Sequence, residues 1–523
     1  MLDILIQNAN IIDGTGKKKF QADLGIKNGK IKKIGKIKTR AKQKINAQNL
    51  YTCPGFIDIL NHSDSFFTLF TIPSQDSLIT QGITTILGGN CGSSLAPLTQ
   101  SSAINSIQKW TDLNQVNLNW LNTQDFLNAL ESKKLSINFA SLVGHGTIRR
   151  GILHDENRIL NNSEIKILKN VLETSLEQGS YGMSSGLAYS HEKSTSLHEI
   201  IELAKIIKKY NGIYATHIRG EGEELLPSLE EAIKIGIETR VKIQISHLKA
   251  MGKTNWSKMN QAIELIEQAR ERGVDINFDI YPYSVTGSVL YVLLPDWVAQ
   301  GGKKLLLARL RDPILAQKVT QEMQADPYDY KKIIIAQGNV NKSFIGKKLS
   351  EIAKHEGISE EQAVINMLLA SEGRISVFFN ALSSENVEKA IAHELGFVCT
   401  NGAGYSNDYE QEEGLVHPRC FGAMPRFLKH YVQEKKLLSW EQAIRKITFL
   451  PAQKIGLKKR GQIKKGFFAD IAIINPKTIT DKATFSNPYQ YSQGVEYVVV
   501  NGQVVLENGK QKNILPGIVL RKN

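Results

Sequence analysis

Residues 56 to 64 have the sequence Phe56-Ile57-Asp58-Ile59-Leu60-Asn61-His62-Ser63-Asp64, and they decide the fold. The stretch follows Cys53-Pro54-Gly55, opens with apolar residues and ends in polar ones, as a buried strand that carries functional groups at its end does. Residues spaced by two along a strand point to the same face. Two histidines at that spacing would reach one metal ion, but the pair here is Leu60 and His62. Half of such a metal-binding pair is therefore missing.

After this stretch the chain alternates between short apolar segments and amphipathic helical segments, such as Ser196 to Tyr210 and Lys258 to Arg272. This alternation predicts an α/β fold, a TIM-like (β/α)8 barrel whose parallel sheet is surrounded by helices. The candidate strands are residues 56–62, 83–88, 137–144, 180–185, 212–217, 241–247, 275–281, 375–380 and 396–401. A barrel of this kind has eight positions, so one of the nine is misread or belongs to an insertion.

The two ends of the chain have a different pattern, with short strands and turns. Residues 1–54 include the hairpin signal Lys27-Asn28-Gly29-Lys30, and residues 455–523 include a second one around Asn501-Gly502. We predict that 1–54 and 455–523 form one small β-sandwich, with the barrel in 55–287 and 346–454. Residues 288–345 break the strand-helix rhythm and predict an insertion near the barrel mouth that could act as a lid.

Composition excludes several classes of protein. The chain has 523 residues, of which 41% are hydrophobic, and its four cysteines form no CxxC pair, so a disulfide framework is not expected. The net charge is +14, but its lysines are spread along the chain without interleaved aromatics, which favours a solvated surface over nucleic-acid binding. Neither a signal peptide nor an apolar run of membrane-spanning length is seen, so we expect a cytoplasmic protein without a membrane partner.

Four potential metal ligands or catalytic groups lie where candidate strands end, which is where a barrel keeps its active site. They are Cys91, His145, His217 and His247. One such histidine alone is more often a satisfied core residue. A thiolate with two imidazoles is a good zinc set that leaves a fourth position open.

The chain resembles the N-acyl-D-amino-acid deacylase (D-aminoacylase) family of the amidohydrolase superfamily, and the resemblance covers nearly the whole chain. The motifs that carry it are Gly55-Phe56-Ile57-Asp58, Gly89-Asn90-Cys91-Gly92, Gly144-His145-Gly146-Thr147-Ile148-Arg149, Ser184-Ser185-Gly186-Leu187-Ala188-Tyr189, Thr216-His217-Ile218-Arg219, Ser246-His247-Leu248-Lys249, Tyr281-Pro282-Tyr283, His417-Pro418-Arg419 and the tail from Arg460-Gly461 to Ala469-Asp470.

The resemblance implies a TIM-like barrel beside a small β-sandwich made from both chain ends. It also implies that one tightly bound Zn2+ is held by Cys91, His217 and His247. The side chains that would face the substrate are Lys249, Tyr283, Ser288 and Arg419, with His145 as a further candidate. Arg419 and Lys249 are the best candidates for binding a substrate carboxylate, because a planar guanidinium matches its geometry.

Two departures from the family pattern fall on the same side of the site. The family has His-x-His where this chain has Leu60 and His62, and it has its general-base Asp where Asn401 stands. Leu cannot bind a metal, and a neutral carboxamide cannot take a proton from water. We therefore expect the weaker second metal site to be lost and another group to replace the base. Candidates for that group are His62, Asp64 and His145.

Two hypotheses follow from these residues. The first is a mononuclear zinc amidohydrolase that cleaves the amide of a small N-acylated amino acid; its oligomeric state stays open. The second is a diverged, catalytically silent homologue that keeps the zinc and the pocket for binding, and Asn401 is its main support. A dihydroorotase-like or hydantoinase-like enzyme is a weaker alternative, because those enzymes usually use a bridging lysine and this chain has Cys91 instead.

Overall fold

A computed structural model describes residues 1–107, 118–154, 156–189, 191–300, 302–325, 329–409 and 414–522. Its strands, numbered in chain order, are β1 Leu2–Ile11, β2 Phe20–Lys27, β3 Lys30–Gly35, β4 Ala41–Asn46, β5 Tyr51–Pro54, β6 Phe56–Asp58, β7 Ile83–Gly88, β8 Asn138–Ser141, β9 Val143–Gly144, β10 Gly182–Gly186, β11 Ile213–His217, β12 Lys242–Ile245, β13 Ile276–Ile280, β14 Val285–Val289, β15 Ile333–Gly338, β16 Ile375–Asn380, β17 Gly396–Val398, β18 Ile471–Ile474, β19 Val495–Val500, β20 Gln503–Glu507 and β21 Lys510–Gln511.

The α-helices lie mostly between the strands of the central part of the chain. They are α1 Thr68–Thr71, α2 Asp76–Ile79, α3 Thr123–Lys133, α4 His145–Leu153, α5 Asn162–Glu177, α6 Leu197–Lys209, α7 Leu225–Thr239, α8 Lys258–Glu271, α9 Asp296–Ala299, α10 Lys303–Arg311, α11 Pro313–Ala325, α12 Leu349–Glu356, α13 Glu360–Ala370, α14 Ser384–Ala392, α15 Arg419–Arg426, α16 Trp440–Ile447 and α17 Phe449–Ile455. Within the described ranges, no helix has both the length and the apolar character needed to cross a membrane.

Parallel strands form the predicted barrel. One part contains β6, β7 and β8, and the other runs in the order β9-β10-β11-β12-β13-β17. β8 and β9 are separated only by Leu142 and occupy one barrel position. The barrel closes where the segment after β6 meets the segment after β17, since His62 N donates to Gly402 O at 2.8 Å and Asn401 N donates to Leu60 O at 3.0 Å. The prediction of an α/β barrel is confirmed.

The local sequence explains why these elements form. Strand β7 is buried along its whole length, and β11 and β13 are buried likewise, as expected for a parallel sheet covered by helices. Helix α6 begins after Ser196, whose side chain accepts a hydrogen bond from Glu199 N, and it ends with Lys208 and Lys209 in its last turn. An oxygen at the N-cap and cations at the C-terminus both satisfy the end of a helix. Stable helix ends of this kind fix the connections between parallel strands, whose carboxyl ends all lie at one edge of the barrel.

The ninth candidate strand is present but does not belong to the barrel. Strand β16 lies between β14 and β15 and is antiparallel to both, in a separate three-stranded sheet. The boundary between insertion and barrel was predicted at residue 346, whereas this sheet continues to Asn380. Antiparallel pairing to the strand after β13 cannot be deduced from the apolar pattern of residues 375–380, which suits either sheet. A lid role for this region stays a prediction.

The two chain ends, which are predicted to form a small β-sandwich together, meet in one nine-stranded sheet. Its strand order is β21-β20-β19-β18-β5-β1-β2-β3, and β4 pairs with β1 on the side of this path. Strands β5 and β18 join the two ends, with Cys53 opposite Ala472. Apolar side chains from both ends form one core, including Ile6, Ile11 and Ile473.

The last described residues return to the barrel. Gly517 N donates to Leu135 O at 2.8 Å, and Leu520 N donates to Phe139 O at 2.7 Å. In the other direction, Phe139 N donates to Ile518 O at 3.0 Å. The C-terminal tail therefore lies along β8 as an additional short segment of backbone pairing.

Candidate metal centre

Three potential metal ligands come together at the carboxyl ends of the barrel strands. Cys91, His217 and His247 are all buried, and one donor atom of each lies within 4.8 Å of the other two. Cys91 Sγ is 3.5 Å from His247 Nε2. Burial lowers the pKa of His247 well below its usual range, helped by the charges of Lys249, His62 and Arg419, so its imidazole is neutral. A thiol and two buried imidazoles fit Zn2+ in donor type and number.

The backbone at this site is strained. Cys91, His247 and Asn401 have φ angles of 51°, 38° and 47°, in the left-handed region that costs a non-glycine residue about 1–3 kcal/mol. Hydrogen bonds hold two of these residues in place: His247 N donates to Asp279 Oδ1 at 2.8 Å, and Asn401 N donates to Leu60 O at 3.0 Å. Such strain persists only where the surrounding structure enforces it, and here it falls on two of the three potential metal ligands.

The two departures from the family pattern lie side by side. Leu60 is fully buried and offers no donor atom, and His62 Nε2 lies 2.9 Å from Asn401 Oδ1. The same nitrogen is 3.9 Å from Cys91 Sγ, so His62 borders the metal-ligand cluster. Asn401 therefore binds the remaining histidine of the incomplete pair.

Arg419 presents unused hydrogen-bond donors. Its Nε and Nη1 atoms are buried and have no hydrogen-bond partner among the described residues. The guanidinium lies over the ring of Tyr281, 4.7 Å from its centroid, and its charge acts on both His247 and Lys249. Buried donors without a partner are costly, and a bidentate carboxylate would satisfy two of them.

Tyr283 and Ser288 are further predicted substrate-facing residues, and His417 contacts both Arg419 and Tyr283. His417 Nδ1 accepts a hydrogen bond from Arg419 N at 3.0 Å, and its Nε2 donates to Val285 O at 3.0 Å. The ring of Tyr283 lies edge-on to His417 at 5.3 Å, and its buried hydroxyl has no hydrogen-bond partner within the described ranges. Ser288 is half-buried in β14, opposite Val377. A substrate-facing role for Tyr283 and Ser288 stays a prediction.

His145 is enclosed by two carboxylates. It begins α4, and its Nδ1 is 2.6 Å from Glu192 Oε2 while its Nε2 is 2.8 Å from Glu199 Oε1. Burial acts to lower the pKa of His145, but hydrogen bonds to Glu192 and Glu199 outweigh it and raise the pKa to about 9. Both ring nitrogens are thus engaged within the protein. This geometry leaves neither nitrogen facing a substrate.

Asp64 supports the loop that carries Cys91. Its Oδ2 accepts a hydrogen bond from Gly89 N at 2.6 Å, two residues before the thiol. Burial raises the pKa of Asp64 to about 6. This contact is with backbone, so it makes Asp64 a support of the loop.

Glu221 belongs to the site, although no sequence motif singles it out. Glu221 lies in the loop after β11, and its carboxylate is 3.0 Å from His247 Nδ1, 3.6 Å from His217 Nε2 and 2.9 Å from Lys249 Nζ. The signal was its place four residues after His217, in the continuation His217-Ile218-Arg219-Gly220-Glu221. Acidic residues are common in loops, so this spacing alone did not single it out.

A parallel eight-position barrel with a buried thiol-imidazole cluster at its carboxyl edge defines the class of metal-dependent amidohydrolases. A family model described as Amidohydrolase family matches residues 408–506. A D-aminoacylase from Alcaligenes xylosoxydans xylosoxydans is 31% identical over 504 residues, which are 96% of this chain and 94% of that protein.

Solved structures agree with this assignment. The crystal structure of N-acyl-D-glutamate deacylase from Bordetella bronchiseptica, complexed with zinc and a phosphonate mimic of the tetrahedral intermediate, has a TM-score of 0.85 at 28% identity and 99% coverage of both chains. A second solved structure is that of a D-aminoacylase whose binuclear metal centre is described as showing one-metal activation and second-metal attenuation. It has a TM-score of 0.82 at 28% identity, with 100% coverage of both chains. The chain belongs to the N-acyl-D-amino-acid deacylase (D-aminoacylase) family, and it is a hydrolase with a metal cofactor. The predictions of family, fold and hydrolase class are confirmed.

Proposed function

We propose that this protein is a zinc-dependent N-acyl-D-amino-acid deacylase that works with one tightly held zinc. The observation that carries the proposal is the buried cluster of Cys91, His217 and His247. Arg419, whose Nε and Nη1 have no hydrogen-bond partner among the described residues, acts electrostatically on the same His247. The substrate class follows the names of the relatives, which are deacylases of D-amino acids.

The single zinc follows from the residues beside the cluster. Leu60 offers no ligand atom, and the oxygen of Asn401 is directed to His62 Nε2. The D-aminoacylase described by one-metal activation and second-metal attenuation supports the view that one metal is enough in this family. When bound, zinc acts as a Lewis acid that polarises the amide carbonyl.

The protein's own residues bind the substrate and move the proton. Arg419 and Lys249 bind the α-carboxylate, and we assign Tyr283 and Ser288 to contacts with the rest of the substrate. Among the three candidate bases we assign proton transfer to His62, because it borders the cluster. A carboxamide has an acceptor at one end and a donor at the other, so Asn401 can hold His62 Nε2 in either protonation state. Asp64 supports the backbone of the loop that carries Cys91, and His145 pairs with Glu192 and Glu199.

A catalytically silent homologue is the second candidate, and Asn401 is the observation that favours it. Metal content measured beside hydrolysis of a panel of N-acyl D- and L-amino acids tests both proposals. We expect one zinc per chain and cleavage of D-substrates. Two metals at full occupancy would contradict the single site, and one zinc without any hydrolysis would favour the silent homologue.

Replacement of one ligand checks the assignment of the metal site. Cys91→Ala should lose most of the bound zinc, because a thiolate is one of three protein ligands. Cys53→Ala is the matched control, since Cys53 is equally buried but lies in β5 with its thiol donating to Ala472 O. Retention of zinc by Cys91→Ala would show that the ligands are assigned wrongly.

A further inference from the structure

Glu221 contacts three functional side chains at once. One carboxylate oxygen, Oε1, is 3.0 Å from His247 Nδ1. The other, Oε2, is 2.9 Å from Lys249 Nζ and 3.6 Å from His217 Nε2. The side chain of Glu221 is 9% exposed, and those of Lys249 and His247 are 6% and 3% exposed. A single buried carboxylate therefore joins the proposed metal ligands to the proposed carboxylate-binding lysine.

The backbone holds Glu221 at this junction. The loop of Glu221 follows β11, which ends in His217, and precedes α7. Its carbonyl oxygen accepts a hydrogen bond from Met251 N at 2.7 Å, and Met251 lies two residues after Lys249. The loops after β11 and β12 are thus tied together at the residue whose side chain bridges them. The loops after β11 and β12 together fix the position of the Glu221 carboxylate.

His247 shows what this carboxylate can do. Its Nε2 faces Cys91 Sγ at 3.5 Å, while its Nδ1 faces Glu221 Oε1. In the described ranges, neither His247 Nδ1 nor Glu221 Oε1 forms a well-aligned hydrogen bond with another group. Each of these two atoms therefore has the other as its polar neighbour, at 3.0 Å. A carboxylate behind a metal-binding imidazole fixes the tautomer and the orientation of the ring and increases its basicity.

Glu221 has a second role through its contact with Lys249. Lys249 Nζ lies 2.9 Å from Glu221 Oε2, and both side chains are buried. The lysine is therefore paired with a carboxylate within the protein, which fixes the position of its ammonium group. Held there, Lys249 is placed to share an incoming carboxylate with Arg419, whose Nε and Nη1 have no hydrogen-bond partner in the described chain.

We propose that Glu221 is the positioning residue of this site: it orients His247 and His217 toward the metal and holds Lys249 in place for the substrate. The proposal rests on the proposed function and adds to it a residue through which metal binding and substrate binding are coupled. It does not require Glu221 to touch the reacting atoms.

Zinc affinity tests the proposal without reference to activity. Glu221→Gln keeps the shape of the side chain and removes its charge, and we expect zinc affinity to fall by about 10- to 100-fold in competition with a chromophoric chelator. The matched control is Glu231→Gln, because Glu231 is a partly buried carboxylate paired with another cation, Arg219, at 2.7 Å. The control should bind zinc like the wild-type protein.

A double variant separates positioning from simple charge compensation. If Glu221 acts on the imidazoles directly, Glu221→Gln combined with Lys249→Met should keep the loss of zinc affinity. Recovery of wild-type affinity in the double variant would show that Glu221 only neutralises the lysine, and would overturn the positioning role. In kinetic assays Glu221→Gln should change both KM and kcat, because it affects Lys249 and the metal ligands together.

Glu221→Asp provides an independent measurement if the Gln variant does not fold. Aspartate keeps the charge but shortens the reach, so we expect zinc affinity at least about threefold below wild type and above that of any folded Gln variant. Unchanged affinity in every folded Glu221 variant would overturn the inference while the deacylase proposal stands. A wild-type protein that holds no zinc would instead reject the proposed function itself.

Discussion

At the scale of single residues, the proposed chemistry of the site depends on Asn401. The resemblance implies that Asn401 stands where the family has its general base, and the residue adopts a left-handed conformation with φ of 47°. Asn and Asp are the residues other than glycine that adopt this conformation most readily. The change from a carboxylate to a carboxamide therefore alters the proton chemistry without requiring a different backbone.

We expect Asn401→Asp to raise turnover of N-acyl-D-amino acids. Aspartate has nearly the same size and adds a base where the family keeps one, and general-base catalysis contributes about 10²–10⁴-fold. Steady-state kinetics on fresh wild-type and variant protein measure the gain. Asn211→Asp is a suitable control, because Asn211 has a φ of 51° but is exposed at the opposite end of β11. If the zinc-loaded Asn401→Asp variant is no faster on any N-acyl amino acid, the silent homologue is favoured.

A second prediction for a single residue concerns the guanidinium of Arg419. Replacing Arg419 by Met should lower kcat/KM for N-acyl amino acids by about 10²-fold or more, because a carboxylate would lose its charged partner in a buried site. Arg419→Lys keeps the charge without the planar fork and should fall between Met and wild type. Equal hydrolysis of an N-acyl amino acid and its neutral amide by the wild-type enzyme would contradict the assignment.

Single residues also show how far sequence reasoning reaches into the site. Cys91, His217 and His247 could be predicted because each lies where an apolar strand ends, and parallel strands bring those ends to one edge. Glu221 could not, because its contacts depend on how two loops approach each other. The left-handed conformations of Cys91 and His247 could not be predicted either, since neither residue type requires positive φ.

At the scale of elements, the start of α4 is joined to α6 by buried charges. His145 begins α4 and lies between Glu192 and Glu199, and Arg149, one turn further along α4, has its Nε 3.2 Å from Glu199 Oε1. Charges of both signs lie together here, so each is compensated. A buried ionic group of this kind is strongly destabilised when one partner is removed.

We expect His145 to make folding stability depend on pH. Its pKa is about 9 in the folded protein and near 6.5 when unfolded, so the stabilisation is fully present below pH 6.5 and is lost as pH rises through 9. The difference in free energy of unfolding between wild type and His145→Gln should shrink by up to about 1.4 kcal/mol per pH unit in this window. Denaturant titrations from pH 6 to 10 measure it.

The comparison with the variant is needed because other groups titrate in the same range. Burial lowers the pKa of Lys446 to about 7 and that of Lys454 to about 8, and the effect of both on stability has the opposite sign. Both lysines are present in each protein, so their contributions cancel in the difference. A difference that does not vary between pH 6.5 and 9 would show that His145 is not charged in the folded state.

The elements differ in how well the sequence predicts their partners. Strands β6 to β13 follow one another around the barrel in chain order, so alternation of strand and helix is enough to place them. Strand β16 has the same apolar character, but it pairs with β14 and β15 across long separations. A periodic pattern predicts that a strand exists and which face is buried, and it contains no information about which edge will receive it.

For the whole molecule, the C-terminal tail is predicted to contribute to stability. Removing residues 517–523 eliminates the backbone pairing with Leu135 and Phe139 and the bond from Lys522 N to Gly179 O, four hydrogen bonds worth about 2–6 kcal/mol together. We expect a clear fall in Tm, measured by calorimetry or circular dichroism. Ile518→Ser is the control, because the side chain of Ile518 is exposed while its backbone pairs. An unchanged Tm after truncation would contradict a stabilising role.

The sheet shared by the two chain ends has a consequence for biosynthesis. Cys53 and its partner Ala472 are 419 residues apart, so at about 5–20 residues per second the ribosome needs roughly 20–80 s to supply the second strand. During that interval β5 has an unpaired edge, which on a polysome could associate with the same edge of a neighbouring nascent chain. The first 50 residues contain 12 lysines and arginines but only 3 acidic residues. We expect this local excess of positive charge to keep nascent chains apart until translation is almost complete.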